Sequence, residues 1–449
     1  MSINNKAVPR AFALLMSLAA VFPVPMAGQP EVQIELKRET RPEVAIAVQN
    51  FKLAEDSKDP AGTGEDGRNI LENDLKLSEV FLPINRVVFQ EQEKKERDSS
   101  GVDYAAWSAL GVQWVIKTEY GINPANKNFT CVFRLYDAVN RKFLIGKRYT
   151  GTQDFLRRTM HRFADEVVAQ LTGKRGVAET RIAFLSKEDG NKEIYTVDFD
   201  GFGLQKLTRD RSVALSPAWS PDGNYIVYTS YAEHNPDLVM INGYGKGRRP
   251  ILKLPGLNAA PSWSPDGSKI ALALSKDQNS EIYVLEKNLR LTRLTRHFNI
   301  DTSPSWSPDG KQIVFTSDRS GTGSPQIYIM DSQLGDQAKV ERISFDSSYN
   351  DNPAWSPDGD KIAHTARVGR KFRIKVYDIG TKKADELSSE PGSHEGPAWS
   401  PDGRFIAYGR TENGKTDIFI KRVGGEKSRQ LTFLTNGASS PAWSPNPTQ

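Results

Sequence analysis

The stretch PAWSPDG at residues 217–223 decides how this chain folds, because near copies of it return at a regular interval. Each copy carries a tryptophan, and successive tryptophans are separated by 44, 43, 49, 44 and 44 residues. In Ser-Pro-Asp-Gly, proline presets φ near −65° for the second position of a turn, and glycine tolerates a positive φ at its exit. A tight turn repeated about every 44 residues is typical of a propeller blade. The blade tryptophans are Trp219, Trp263, Trp306, Trp355, Trp399 and Trp443.

The number of blades follows from how the repeat begins and ends. A complete period holds the tryptophan segment and three further β-rich runs, such as YIVYTS, DLVMI and ILKL in the first period. Residues 181–208 supply three such runs without a tryptophan segment, and PAWSP at 441–445 supplies a tryptophan segment without successors. Pairing these two ends closes a ring and removes its open edges. The sequence therefore predicts a six-bladed β-propeller closed by the C-terminal strand.

The segment before the repeats reads as a separate α/β domain. VAIAVQNF at residue 44 indicates a buried strand, and Ile70, Leu71 and Leu75 form an apolar stripe at helical spacing. A second amphipathic helix, DFLRRTMHRFADEVVAQLTG, is expected to turn Phe155 and Met160 inward. The expected organisation is a signal peptide at 1–28, a flexible tail at 29–43, an α/β domain at 44–173, a linker at 174–180 and the propeller at 181–449.

The N-terminus predicts export. Lys6 and Arg10 precede a twelve-residue apolar run, which fits a secretory signal peptide and is shorter than the roughly 20 residues that span a bilayer. No later run approaches that length, so we expect no direct membrane insertion. The net charge of +5 is modest and does not favour nucleic acid as a partner. Cys131 is the only cysteine, which excludes an internal disulfide.

Motifs for catalysis are missing from the sequence. It contains no GxSxG, HExxH, Walker or strand-linked GxGxxG motif, so an enzyme is not expected. The turn aspartates are explained by turn chemistry, with calcium binding as the weaker alternative; they are Asp222, Asp266, Asp309, Asp358 and Asp402. We expect neither a cofactor nor a metal.

At this point the chain resembles a known family. The segments IAVQNF, SALGVQWVIKTEY, RLYDAVNRKFLIGKRYTG and QLTGKRGVAETRIAFLS, followed by six WSPDG-type blades, resemble the TolB family of the Tol-Pal system. The resemblance implies a non-enzymatic adaptor in the periplasm that serves outer-membrane integrity and cell division. It implies that the propeller mouth binds the lipoprotein Pal and that the mature N-terminal tail binds the inner-membrane protein TolA. We expect the protein to be a monomer.

The resemblance also points to residues around the propeller mouth. Where the family often has His-Asn-Gly-Ala-Pro, this chain has Leu-Asn-Ala-Ala-Pro, so Asn258 and Ala260 carry over while the histidine is absent. The family's threonine two residues before the next proline is Thr302. The corresponding loops of this chain add Asp301, Asn350 and His394. The tail residues that match TolA-binding segments in position are Glu31, Val32, Gln33 and Ile34.

Two other functions remain open on the sequence alone. Asparagines and acids around the mouth fit a propeller that binds a small ligand or a glycan. WSPDG propellers also gate peptidase active sites, but such enzymes need an α/β-hydrolase domain of a few hundred residues and a nucleophile motif. The adaptor is the favoured interpretation.

Overall fold

The structure, a computed structural model, describes residues 43–447 except residues 60, 100, 124, 127 and 322. The predicted signal peptide, and the predicted tail up to residue 42 with Glu31, Val32, Gln33 and Ile34, lie outside the described residues. The described residues belong to one compact unit.

A six-stranded mixed sheet organises the N-terminal α/β domain. Its strands follow the order β3-β1-β4-β5-β6, and the short β2 pairs with β4. The central β1 is parallel to β3 and β4, whereas β4, β5 and β6 are antiparallel. The elements are β1 (Val44–Val48), β2 (Lys52–Leu53), α1 (Thr63–Leu77), β3 (Phe81–Pro83), α2 (Arg86–Lys95), α3 (Tyr104–Ala109), β4 (Trp114–Ile122), β5 (Asn128–Asp137), β6 (Lys142–Thr152) and α4 (Leu156–Thr172).

Helices cover both faces of this sheet because β1 alternates its side chains between them. Ile46 and Val48 pack with α1 and α4, while Ala47 between them packs with Phe89 of α2 and Trp107 of α3. The prediction that Phe155 turns inward is wrong. It lies in a 3-10 turn before α4 begins, where it is 50% exposed.

Twenty-four described strands form the propeller as six antiparallel four-stranded sheets. In chain order they are β7 (Arg181–Ser186), β8 (Glu193–Asp198), β9 (Gln205–Lys206), β10 (Ala214–Trp219), β11 (Tyr225–Glu233), β12 (Asn235–Asn242), β13 (Arg249–Leu252), β14 (Asn258–Trp263), β15 (Lys269–Leu274), β16 (Glu281–Glu286), β17 (Leu291–Arg293), β18 (Asp301–Trp306), β19 (Gln312–Ser317), β20 (Gln326–Asp331), β21 (Glu341–Arg342), β22 (Asn350–Trp355), β23 (Lys361–Val368), β24 (Lys371–Asp378), β25 (Lys383–Glu386), β26 (Ser393–Trp399), β27 (Phe405–Glu412), β28 (Lys415–Arg422), β29 (Ser428–Gln430) and β30 (Ser439–Trp443).

The predicted closure of the ring is confirmed. Blade 1 has the strand order β30-β7-β8-β9, so its inner strand comes from the C-terminus and its other strands from the start of the repeats. Trp443 is in register with Ile182, and the amide of Ser444 donates to the carbonyl of Arg181 at 2.9 Å. Blades 2 to 6 are β10–β13, β14–β17, β18–β21, β22–β25 and β26–β29.

Each blade tryptophan packs between two blades. Trp306 of blade 4 belongs to an apolar cluster that also contains Ile282 of blade 3 and Ile313 of its own blade. The turn after it is held by Asp309, whose Oδ1 accepts from Ser307 Oγ at 2.6 Å and from the amide of Lys311 at 3.1 Å. The tryptophan therefore joins neighbouring blades, and the aspartate carboxylate stabilises the turn by accepting hydrogen bonds within it.

The α/β domain sits on the propeller face that carries the WSPDG turns. Arg404, which follows the turn of blade 6, donates from Nη1 to the carbonyl of Ser78 at the end of α1 (2.9 Å). Lys174 pairs with Asp358 in the turn of blade 5. The α/β domain therefore covers this face of the ring, and among the described residues no other domain covers the opposite face. Within the described part of the chain, no helix combines the length and apolarity needed to cross a bilayer.

Candidate functional site: the open mouth of the propeller

The open face, here called the mouth, is built by the loops that join an outer strand to the next inner strand. The inner strands run from this mouth to the WSPDG turns and surround a central channel whose cavity measures about 640 Å³. The loops of the mouth are residues 207–213, 253–257, 294–300, 343–349, 387–392 and 431–438.

The residue just before the repeated proline of each inner strand is in the left-handed region, although only one of the six is glycine. Their φ angles lie between +49° and +65°. The cause is a bulge, since the register of every inner strand shifts at this point. All six residues line the channel; they are Ser216, Ala260, Ser303, Asn352, Gly396 and Ser440.

Two positions before each of these residues, at the start of the inner strand or directly before it, the side chain is buried in the blade. These side chains are at most 2% exposed, and they belong to Ala214, Asn258, Asp301, Asn350, His394 and Ala438. The polar members bind the loops of the mouth. Asn258, for example, donates from Nδ2 to the carbonyls of Leu254 (2.7 Å) and Gly256 (3.1 Å) and so fixes the loop 253–257.

The other three buried polar residues fix loops or neighbouring strands in the same way. The carboxylate of Asp301 pairs with Arg319 at 2.7 Å, while burial raises its pKa to about 6. Asn350 donates from Nδ2 to the side-chain oxygen of Gln326 at 2.9 Å.

His394 Nε2 donates to the carbonyl of Pro391, and its Nδ1 accepts from the Ser388 hydroxyl. Burial lowers the pKa of His394 to about 4, so this imidazole is neutral at pH 7.

The structure therefore divides the predicted mouth residues into two groups. Ala260 lines the channel and Thr302 is partly exposed on the adjacent inner strand. Asn258, Asp301, Asn350 and His394 are buried, so direct contact of these four side chains with a partner does not fit this conformation. Their role in partner binding stays a prediction. In this conformation they would act indirectly, by fixing the loops of the mouth.

Exposed aromatic residues on the mouth were missed by the sequence interpretation. Phe298, Phe345 and Phe433 are 83%, 73% and 75% exposed and lie on three of the six loops. Phe345 and Phe433 occupy the same repeat position, directly after the Ile-Ser or Leu-Thr that follows the outer strand. In the sequence, a phenylalanine at this loop position was the signal that could have identified these exposed residues. Large exposed apolar side chains gathered on one face are typical of an interaction site.

An acidic pair adds charge to the channel wall. Asp351 and Glu395 hold the same position in neighbouring blades, and both line the cavity. Asp351 accepts from the hydroxyls of Thr316 (2.9 Å) and Tyr349 (3.3 Å). Partial burial and the charge of Asp351 raise the pKa of Glu395. The mouth therefore combines apolar groups on its loops with negative charge in its channel.

An α/β domain that covers one face of a six-bladed ring, with the other face open, defines a class of two-domain β-propeller proteins. Two family models match the chain: the TolB amino-terminal domain at residues 32–144 and the TolB beta propeller domain at residues 168–447. The chain belongs to the TolB family of the Tol-Pal system.

Relatives support this assignment. The chain is 31% identical to the Tol-Pal system protein TolB of Bordetella parapertussis over 323 residues, which is 70% of this chain and 69% of that protein. It is 36% identical to the Tol-Pal system protein TolB of Desulfosudis oleivorans over 194 residues, 43% of this chain. With the relatives from Desulfosudis oleivorans, Syntrophotalea carbinolica and Geobacter sulfurreducens, the match spans only 44%, 45% and 49% of their length. The crystal structure of TolB from Acinetobacter baumannii aligns with a TM-score of 0.75 and 27% identity, covering 90% of this chain and 97% of that one.

Proposed function

We propose that this protein is a non-enzymatic periplasmic adaptor that binds a Pal-type lipoprotein at the propeller mouth. The observation that carries the proposal is the asymmetry of the ring. The α/β domain covers one end of the channel, and the open end presents Phe298, Phe345 and Phe433 to solvent. Membership of the TolB family supplies the identity of the partner.

The chemistry of the mouth describes what such a partner must present. An apolar patch on the partner would bury the exposed phenylalanines, and each fully buried phenylalanine contributes roughly 1.5–3 kcal/mol. A basic group would complement Asp351 and Glu395 in the channel. We therefore expect the partner to insert a loop that carries a cationic side chain between flanking apolar residues.

The second half of the proposal concerns the predicted tail at residues 29–43. We propose that Glu31, Val32, Gln33 and Ile34 contribute to binding a TolA-type protein. The support is their position directly after the predicted signal peptide, together with the family's place in the Tol-Pal system. Deleting residues 29–42 tests this half: binding of TolA should be lost, while binding of Pal at the mouth should persist.

The mouth is tested with a large charged side chain in the channel. Ala260→Arg places a large side chain at the channel wall, and Thr302→Arg places another at a partly exposed position of the neighbouring inner strand. We expect the double variant to lose binding to purified Pal by at least about tenfold while keeping the melting temperature of the parent. Phe143→Ser, which removes a 55% exposed phenylalanine from the α/β domain, is the control.

The outcomes separate the competing functions. Equal Pal binding by the parent and the double variant would move the site away from the mouth. If neither binds Pal, a thermal-shift screen with glycans and divalent cations tests the small-ligand function. Hydrolysis of chromogenic peptides would instead support a peptidase.

A further inference from the structure

A buried polar cluster lies between the α/β domain and the propeller. Asp74 belongs to the last turn of α1 and His161 to α4, and Asp200 follows β8 in blade 1. The side chains of Asp74 and His161 are 0% and 5% exposed, and that of Asp200 is 6% exposed. Three separate segments of the chain therefore bring two carboxylates and an imidazole together at the domain junction.

The geometry of the cluster is that of a set of ligands. One ligand atom from each of Asp74, His161 and Asp200 lies within 4.8 Å of the other two. His161 Nδ1 is 2.6 Å from Asp74 Oδ2. The second oxygen of Asp74 and the second nitrogen of His161 are buried without a hydrogen-bond partner. These two atoms lack the partner that buried polar atoms normally have, and orphaned buried polar atoms cost about 1–3 kcal/mol each.

The charges around the cluster come from carboxylates and from guanidiniums. Asp198 is the third carboxylate in the vicinity, and Arg157 is the guanidinium in direct contact, paired with Asp200 and 3.8 Å from Asp198. The neighbouring guanidiniums of Arg181 and Arg429 donate to the backbone carbonyls of Gly243 and Phe199. A bound cation would therefore compete with these guanidiniums, and with Arg157 above all, for the carboxylates.

We propose that Asp74, His161 and Asp200 bind one divalent transition-metal ion of the Zn²⁺ type at the junction of the two domains. An imidazole nitrogen with two carboxylate oxygens suits Zn²⁺ and its neighbours better than Ca²⁺ or Mg²⁺, which prefer oxygen ligands alone. Ion-to-ligand distances of about 2.0–2.2 Å require the three side chains to draw slightly closer. The fourth position is left to water.

An ion at this position would link the two domains. Two of its ligands come from helices of the α/β domain and the third comes from the propeller. Binding would therefore fasten α1 and α4 to blade 1 and stabilise the folded chain in proportion to the metal concentration. The proposal is independent of partner binding at the mouth.

The test is a titration of the full chain, purified with chelator and returned to metal-free buffer. ZnCl₂ is added in competition with a fluorescent chelator, and CoCl₂ is added to a second sample to record the absorption of the bound ion. We expect one saturable site per chain and a rise in melting temperature on binding. His161→Gln and Asp200→Asn should each weaken binding by about tenfold or more. Arg157→Gln should strengthen it, because a competing cation is removed.

The controls exclude surface binding and misfolding. His297→Gln removes a partly exposed histidine at the mouth and should leave the affinity unchanged. The melting temperature of each metal-free variant shows whether it folds, and Arg157→Gln gives a gain that misfolding does not produce. No saturable site in the parent, parent-like binding by His161→Gln, or equal or weaker binding by Arg157→Gln would each overturn the proposal.

Discussion

Trp443 Nε1 donates a hydrogen bond of 2.9 Å to the hydroxyl oxygen of Thr180, and both groups are buried. The tryptophan ends the last strand of the chain, and the threonine directly precedes the first strand of the propeller. The same hydroxyl donates to the carbonyl of Val177 at 2.6 Å. This threonine therefore connects the two ends of the ring to the segment that leads out of α4.

The closure can be tested at Thr180 with nearly isosteric side chains. Thr180→Val keeps the shape but leaves the Trp443 indole and the Val177 carbonyl without partners, so we expect a loss of about 1–3 kcal/mol in the free energy of unfolding. Thr180→Ser keeps the hydroxyl and serves as the control. Urea denaturation followed by tryptophan fluorescence measures both. Equal stabilities of the two variants would contradict a role for this hydrogen bond in closing the ring.

Trp355 tests the packing of tryptophan between blades. It is 9% exposed and shares an apolar cluster with Val314 and Ile327 of blade 4 and Ile362 of its own blade. Trp355→Ala should lower the free energy of unfolding by about 3–5 kcal/mol, because it leaves a cavity between two blades. Trp355→Phe should cost less. Partner binding by the fraction that remains folded should persist. A parent-like melting temperature for Trp355→Ala would contradict the role of the tryptophan in joining neighbouring blades.

We expect His364 to make the propeller sensitive to acid. It is 1% exposed in β23, neither ring nitrogen has a hydrogen-bond partner, and burial lowers its pKa to about 4. The unfolded chain takes up this proton near pH 6.5 and the folded chain near pH 4. The stability that the neutral ring contributes is therefore complete above pH 6.5 and is lost as the pH falls towards 4.

Phe315 and Phe184 stand at the equivalent position of blades 4 and 1, which suggests the substitution His364→Phe. We expect it to remove this acid sensitivity, which amounts to about 2 kcal/mol between pH 7 and pH 5. Melting temperatures recorded from pH 5 to pH 8 measure the effect. If the parent and the variant lose stability in parallel as the pH falls, another group is responsible.

The contact between the domains depends on two arginines of blade 6. Arg404 and Arg422 donate to the carbonyls of Ser78 (2.9 Å) and Glu79 (2.7 Å) at the end of α1. The double substitution to alanine should weaken the interface by about 1–3 kcal/mol per arginine. Faster hydrogen exchange at the end of α1 would report this loss. Lys174→Ala breaks an exposed pair with Asp358 and a long hydrogen bond (3.4 Å) to the carbonyl of Asp402, and it should change exchange little.

The phenylalanines of the mouth test partner binding separately from the channel. Phe345→Ser and Phe433→Ser remove side chains that are mostly exposed, so the melting temperature should stay within about 1–2 °C of the parent. Each should weaken Pal binding by about 1–2 kcal/mol if the partner buries the ring. Calorimetry with the purified lipoprotein domain measures this. Unchanged affinity in the double variant would exclude these loops from the interface.

The sequence by itself determined the repeat and its closure. Turn chemistry and strand alternation act over a few residues, so each WSPDG copy fixes its own hairpin wherever it occurs. The split blade also required no tertiary information, because a first strand at residue 441 and three orphan strands from residue 181 complete each other.

Only the tertiary structure decided which residues face the channel. The bulge before each repeated proline interrupts the period-2 alternation, so Ala260 lines the channel while Asn258, two residues earlier, is buried. The covered face of the ring and the meeting of Asp74, His161 and Asp200 depend on how the α/β domain docks. Such contacts join residues far apart in the chain, and a local pattern carries no record of them because their energy arises only when the two domains pack together.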